Sequence, residues 1–191
     1  MPHHIAVLVG SLRRESLSGK AARALAALAP ASLAFDLVNI GGLPLYNEDR
    51  ETDPPEPWTG FRAAIARADG LLFVTPEYNR TIPGGLKNAI DIASRPWGKN
   101  VFAGKPAAIA SQSPGMVGGF GASQTVRQAL VCLDVPVLPG PELYLAASSS
   151  AFDADGNLSS DTARDLMAAF VASFARWVDH HDPVRAEGEP A

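Results

Sequence analysis

The feature that most constrains the fold is an alternation of short apolar runs with segments of helical periodicity, which continues along nearly the whole chain. The apolar runs have the length of β-strands and cover five ranges: His4–Val9, Leu33–Ile40, Leu71–Thr75, Ala107–Ser111 and Val135–Leu138. Alternation of this kind is typical of βαβ units around a parallel sheet. The first run contains Ile-Ala-Val-Leu-Val without a polar break, as expected for a strand buried on both faces. The sequence therefore predicts an α/β fold with a five-stranded parallel sheet.

Helical patterns fill most of the remaining chain. Five helices are predicted, at 17–28, 57–68, 86–94, 123–133 and 161–178. Between the second strand and Trp58 the chain holds Gly41, Gly42 and four prolines, which predicts a long surface loop. We expect residues 1–181 to form one domain, because 191 residues is near the usual size of a single domain. The polar stretch 182–191 has too few apolar residues to fold alone and is predicted to be a flexible tail.

Charge and composition narrow the classes of function. The net charge is −4 and the basic residues are scattered, so no patch for nucleic acid or an anionic membrane is indicated. The single cysteine, Cys132, cannot form an internal disulfide, and the four histidines lack the spacing of metal ligands. No run resembles a signal peptide or a membrane span. We therefore expect a cytoplasmic protein that acts on small molecules, without nucleic acid, membrane or metal partners.

A parallel sheet of this size is most simply wound in the strand order 2-1-3-4-5. Ligands bind such sheets beyond the carboxyl ends of the strands, near the point where the strand order reverses. This rule selects the loops that follow strands one, three and four. We call them the first loop (Gly10–Ser18), the second loop (Thr75–Pro83) and the third loop (Ser111–Gly121).

The first loop combines a glycine, three serines and two arginines at the start of a helix. Amide groups at a helix N-terminus, hydroxyls and an Arg13 guanidinium are donors that suit a phosphate group. Ordinary helix capping by Ser16 or Ser18 is the alternative interpretation. The loop matches neither the nucleoside triphosphate P-loop nor the three-glycine dinucleotide motif.

The other two loops have residues that suit a flat ligand. The second loop places Tyr78 and several backbone amides between Pro76 and Pro83, an arrangement that can hold a heterocycle but is equally compatible with a simple turn. The third loop has four glycines between Ser113 and Gly121, which allow close approach of the backbone to a ligand or indicate a mobile loop.

Taken together, these segments resemble the NADPH-dependent FMN reductase family, whose members include flavin, quinone, chromate and azo-dye reductases of flavodoxin-like fold. The resemblance covers residues 4–140 and depends on four motifs: Gly10-Ser11-Leu12-Arg13 with Ser16, Leu43-Pro44-Leu45-Tyr46-Asn47, Thr75-Pro76-Glu77-Tyr78-Asn79 running into Pro83-Gly84-Gly85-Leu86-Lys87-Asn88-Ala89-Ile90-Asp91, and Gly118-Gly119. It implies a flavodoxin-like three-layer sandwich and a homodimer or homotetramer in which a neighbouring subunit completes the flavin site.

The resemblance also implies which residues bind FMN. The phosphate would be bound by Ser11, Arg13, Ser16 and Ser18. The isoalloxazine ring would be bordered by Pro76, Glu77, Tyr78 and Asn79, and its pyrimidine side would be approached by Ser113 and Gly115. Two positions depart from the family pattern, since Ser18 stands where asparagine is common and Ile92 stands where many relatives have an aromatic residue.

The activity implied by the resemblance is hydride transfer from NADPH or NADH to bound FMN, followed by reduction of a quinone, free flavin, azo dye or metal oxyanion. Because the cofactor supplies this chemistry, no catalytic acid or base side chain is expected. Lys87, Asp91 and Arg95 are interpreted as a charged stripe on a helix. The alternative function is a flavodoxin-type FMN electron carrier without NAD(P)H turnover. A hydrolase is disfavoured because no Gly-x-Ser-x-Gly motif occurs.

Overall fold

A computed structural model describes residues 1–182, so most of the predicted tail lies outside the described residues. Five parallel strands form one sheet in the order β2-β1-β3-β4-β5. The strands are β1 (His3–Val9), β2 (Leu33–Val38), β3 (Gly70–Pro76), β4 (Ala107–Gln112) and β5 (Leu143–Leu145). The helices are α1 (Leu17–Leu28), α2 (Glu56–Ala66), α3 (Gly84–Ser94), α4 (Phe120–Cys132) and α5 (Asp161–His180). The predicted α/β class and strand order are confirmed.

The sheet separates two apolar cores, because alternate residues of a strand point to opposite faces. Ile5, Val7 and Leu72 face the core that α1 and α5 cover. Leu8 and Phe73 face the core that α2, α3 and α4 cover. Helices therefore lie on both faces, which is the three-layer sandwich that the sequence predicts. Within residues 1–182, no helix is both long and apolar enough to cross a membrane.

The predicted fifth strand, Val135–Leu138, is wrong. This segment makes only an isolated bridge, in which Val137 lies beside Ala107 and the Leu138 N–H donates to the Ala107 carbonyl over 2.8 Å. Proline has no N–H to donate to a ladder, and Pro136 and Pro139 flank this bridge. The chain turns at residues 139–141 and pairs again at Leu143–Leu145, beside the carboxyl end of β4.

Candidate functional site

The three loops meet at the carboxyl edge of the sheet. The Gly10 N–H donates to the Val74 carbonyl over 2.9 Å, which places the first loop beside β3. The Glu77 carboxylate accepts from the Ala122 N–H over 3.3 Å, which joins the second loop to α4. Gln112, at the end of β4, donates from Nε2 to Ser18 Oγ over 3.0 Å. The structure thus brings the predicted segments together.

The first loop ends in a capped helix. Ser16 is the N-cap of α1, and its hydroxyl oxygen accepts from the Gly19 N–H over 3.1 Å. Ser11 is partly exposed and accepts from the Arg13 N–H over 3.4 Å. The Arg13 and Arg14 side chains are exposed and belong to none of the ion pairs found in residues 1–182. The loop therefore presents two free cations beside a helix N-terminus.

Ser18 occupies a different environment from the rest of its loop. It is completely buried, and its hydroxyl accepts the hydrogen bond from Gln112 described above. The side-chain oxygen of Gln112, Oε1, accepts in turn from Ser148 Oγ over 2.6 Å. Contact of Ser18 with a phosphate stays a prediction. Its observed partner, the Gln112 amide, was not predicted from the sequence. The sequence signal that could have indicated a role for Gln112 is the polar pair Ser111-Gln112 at the end of an apolar strand.

The second loop is a tight hairpin. Tyr78 and Thr81 exchange two backbone hydrogen bonds of 2.9 and 3.0 Å, and Asn79 and Arg80 between them have φ values of 51° and 67°. Positive φ at both central residues is the conformation of a type I′ turn. Tyr78 and Asn79 are exposed at the tip, whereas Pro76 is buried at the end of β3. The hairpin therefore displays an aromatic ring on a fixed backbone.

Glu77 fastens this hairpin to α4. Its side chain is only 11% exposed; one carboxylate oxygen accepts from the Ala122 N–H and the other pairs with Arg80 over 3.2 Å. A carboxylate is stabilised at a helix N-terminus by the partial positive charge there. Gly121 allows the close approach, since a Cβ at that position would lie 2.7 Å from the Arg80 carbonyl oxygen. Tight packing of the hairpin therefore requires glycine at 121.

The third loop is held by hydrogen bonds along its length. Ser111 donates to the Gly118 carbonyl over 2.8 Å, and the backbone N–H groups of Ala147 and Ser148 donate to Gly115 and Ser113, each over 3.0 Å. Gly118 and Gly119 have φ values of 63° and 83°. Two of the glycines therefore serve a left-handed turn. Helix α4 begins at Phe120, earlier than the predicted Ser123.

The segment between β2 and α2 is held in place by hydrogen bonds to a buried side chain of α3. Asn88, which is buried, accepts from the Tyr46 N–H over 2.8 Å and donates to the Leu43 and Pro44 carbonyls. Burial, together with the hydrogen bond that Tyr46 donates to Glu51, raises the pKa of the Tyr46 phenol to about 12. These bonds keep the predicted surface loop in place.

Two charged pairs outside the loops have structural explanations. Lys87 Nζ lies 2.7 Å from the Asp91 carboxylate one helical turn away, as predicted for a charged stripe, whereas Arg95 is not part of the stripe because α3 ends at Ser94 and Arg95 is extended. Arg127 and Glu142 form an ion pair within the chain, with 3.6 Å between the guanidinium and the carboxylate. Among residues 1–182, no group of three His, Cys, Asp or Glu side chains is placed to hold a metal ion.

Comparison with known proteins agrees with this architecture. The family model for NADPH-dependent FMN reductase matches residues 3–149. The chain belongs to this family. It is 56% identical to a quinone reductase of Pseudomonas putida over 177 residues, which is 92% of this chain and 95% of the relative. It is 49% identical to a 2-hydroxy-1,4-benzoquinone reductase of a Burkholderia species, over 91% of this chain and 95% of the relative.

A solved structure shows the same fold. The flavoenzyme NAD(P)H:(acceptor) oxidoreductase FerB of Paracoccus denitrificans superposes with a TM-score of 0.88 and 39% identity, covering 94% of this chain and 98% of its own. The predicted flavodoxin-like fold and the predicted family are therefore confirmed. As a member of the NADPH-dependent FMN reductase family, the chain is an oxidoreductase.

The donors at the sheet edge have the chemistry that FMN requires. The free Arg13 guanidinium beside the α1 N-terminus suits a phosphate dianion. Within the described part of the chain, the N–H groups of Glu77 and Asn79 have no hydrogen-bond partner, and they flank the exposed Tyr78 ring. Unpaired amides beside an aromatic ring suit the polar edge and the flat face of an isoalloxazine.

Proposed function

We propose that this member of the NADPH-dependent FMN reductase family binds FMN across the three loops and uses NADPH to reduce quinones. The observation that supports the proposal most strongly is the convergence of free cations at the α1 N-terminus with the Tyr78 hairpin at one sheet edge. Anion-binding groups in the first loop and a flat polar surface at the hairpin match the two ends of FMN. Bound FMN would accept hydride from the nicotinamide and deliver electrons to the acceptor.

In this proposal the first loop binds the phosphate through Ser11, Arg13 and Ser16. The Arg13 guanidinium supplies a charge-assisted hydrogen bond, and the Ser16 hydroxyl retains a hydrogen to donate after accepting from Gly19. Ser18 lies behind these residues and supports the first loop through its hydrogen bond with Gln112. The hydrogen bonds of the site thus form between groups already oriented by the fold.

The ring is positioned by the second and third loops. The free N–H groups of Glu77 and Asn79 donate to polar atoms of the isoalloxazine edge, while the exposed Tyr78 lies beside the ring. Ser113 and Gly115 approach the pyrimidine side from the third loop, which its bonds to residues 147 and 148 hold in place. Donors fixed before the reaction stabilise negative charge without reorganisation.

Quinones are the proposed acceptors because the two relatives named above are a quinone reductase and a 2-hydroxy-1,4-benzoquinone reductase. A quinone is flat and uncharged, so it can lie on the open face of the ring that the nicotinamide leaves. Free flavins, azo dyes and metal oxyanions are the other acceptor classes to be screened.

We also propose a homodimer or homotetramer in which a second subunit covers the site. Leu12, Leu45 and Met116 are each more than 60% exposed; Leu12 lies in the first loop, Met116 in the third loop and Leu45 in the segment between β2 and α2. Large apolar side chains exposed in this way are typical of a surface that another protein covers. Light scattering after size-exclusion chromatography should show at least twice the chain mass of 20.0 kDa. A monomeric protein that turns over normally would contradict this part of the proposal.

The decisive experiment follows bound flavin without oxygen. Purified protein is incubated with FMN, desalted and mixed anaerobically with NADPH while the visible spectrum is recorded. Rapid bleaching, reversed by benzoquinone, is the expected result. Retained flavin that NADPH cannot bleach would instead favour the electron carrier, and loss of flavin on desalting would contradict the assignment of the loops.

A further inference from the structure

Gln112 is a buried amide that joins the two halves of the site. It is 4% exposed and lies at the carboxyl end of β4. Its Nε2 donates to Ser18 Oγ at the start of α1, and its Oε1 accepts from Ser148 Oγ, with distances of 3.0 and 2.6 Å. One side chain therefore bridges segments separated by 94 residues on one side and 36 on the other.

Each end of this bridge is attached to a different loop of the site. Ser18 belongs to the first turn of α1, directly after the N-cap Ser16 and Leu17. Ser148 donates its N–H to the Ser113 carbonyl, and its neighbour Ala147 donates to the Gly115 carbonyl. The Ser148 side is thus attached to the third loop, and the Ser18 side to the first.

The backbone of Gln112 adds a further constraint on the third loop. A Cβ at Gly119 would lie 3.1 Å from the Gln112 carbonyl oxygen and 3.2 Å from its nitrogen. The turn that starts α4 therefore rests directly on this residue. A buried amide with both ends bonded is rigid, because each broken bond would leave a buried polar group unsatisfied.

We propose that Gln112 is a positioning residue for the flavin, which sets the distance between the first loop and the third loop. The inference rests on the proposed function, in which these loops bind opposite ends of FMN. A ligand that contacts only one loop does not sense this distance, whereas a ligand that spans both does. Gln112 is therefore expected to affect FMN binding far more than binding of riboflavin, which lacks the phosphate.

The test compares dissociation constants for FMN and riboflavin, measured by quenching of flavin fluorescence in the apoprotein. Gln112→Met keeps the length of the side chain and removes both hydrogen bonds. Loss of two net hydrogen bonds predicts an increase of about 10-fold or more in the FMN constant. The riboflavin constant should change by less than about twofold. A purely structural role would instead raise both constants by the same factor.

Gln124→Met is the matched control. Gln124 also donates from its amide, to the Tyr144 hydroxyl over 3.0 Å, and lies on α4 near the third loop, but it does not bond to the first loop. The FMN to riboflavin ratio should stay at the wild-type value in this variant. An equal loss of FMN preference in both variants would overturn the inference.

A double-mutant cycle separates positioning from direct phosphate contact by Ser18. If Ser18 acts as the partner of Gln112, Ser18→Ala and Gln112→Met remove the same link. The double variant should then bind FMN as tightly as the single variant that has the lower FMN affinity. Effects that multiply would assign Ser18 an independent contact and contradict the link.

Two further outcomes are distinguishable. If Gln112→Met does not fold, Ser148→Ala removes only one bond of the bridge and should lower FMN preference severalfold, whereas an unchanged FMN to riboflavin ratio would refute the inference. If the wild-type protein binds neither flavin, the proposed function fails rather than the role of Gln112.

Discussion

Replacing Gly121 by alanine tests the packing of the Tyr78 hairpin against α4. The new Cβ would lie 2.7 Å from the Arg80 carbonyl oxygen and 3.0 Å from a Glu77 carboxylate oxygen. Real Cβ atoms essentially never lie closer than 3.0 Å to a heavy atom, and the nearest atom here is backbone, so the hairpin must move. Overpacking of this kind destabilises the folded protein by about 1–3 kcal/mol, and the higher helix propensity of alanine than of glycine offsets at most about 1 kcal/mol. We expect a net loss of about 1–2 kcal/mol.

Urea denaturation measures this loss, with Gly60→Ala as the matched control. Gly60 is also helical, but a Cβ there would meet only the flexible end of Glu56 at 3.7 Å, so this variant should gain about 0.5–1 kcal/mol. The FMN dissociation constant should rise in Gly121→Ala, because the displaced hairpin carries Tyr78, and stay unchanged in Gly60→Ala. Equal stability and equal FMN affinity in the two variants would refute the described packing of the hairpin.

Three further predictions concern single side chains. Arg80→Gly should stabilise the protein by about 1 kcal/mol, because a left-handed conformation strains any residue with a Cβ, whereas Arg80→Lys should leave the urea midpoint unchanged. Tyr46 has a folded-state pKa of about 12, above the unfolded value of 10.0, so the free energy of unfolding should fall as pH rises above 10. Glu51→Gln should lower this pKa in a phenolate absorbance titration, and an unchanged titration would contradict the role of Glu51. Arg14→Ala should raise the KM for NADPH more than that for NADH. Its effect on the KM for NADPH should also exceed that of Arg80→Ala, because Glu77 already neutralises Arg80. Equal effects of Arg14→Ala on the two cofactors would exclude Arg14 from binding the 2′-phosphate of NADPH.

Sequence reasoning located the fold well where local signals were strong. Helix α1 begins and ends at the predicted residues, since its apolar periodicity is preceded by a serine that does cap it. The strand order follows from the number of βαβ units, because a short doubly wound sheet has few topologies. The fifth strand was mispredicted because the apolar run 135–138 contains Pro136 and is followed by Pro139, and only tertiary pairing shows that β4 continues its ladder with Leu143–Leu145.

The loops of the site could be predicted from the sequence, whereas the hydrogen bonds that hold them in place were less predictable. Glycines, serines and arginines near strand ends mark a binding edge in the sequence itself. The bond between Gln112 and Ser18 joins residues 94 positions apart, and no local pattern encodes such a pairing. The attachment of Glu77 to the start of α4 is equally non-local, so the sequence reveals the carboxylate but not its partner.

The division of the interior by the sheet has a consequence for how this protein can evolve. Helix α5 packs with Met167, Phe170 and Phe174 in the core shared with α1, while α3 and α4, which follow the second and third loops, pack in the other core. Changes at sites that share no neighbours add independently. Stabilising substitutions under α5 would therefore provide a reserve of stability that lets the three loops accept destabilising changes, and with them new electron acceptors.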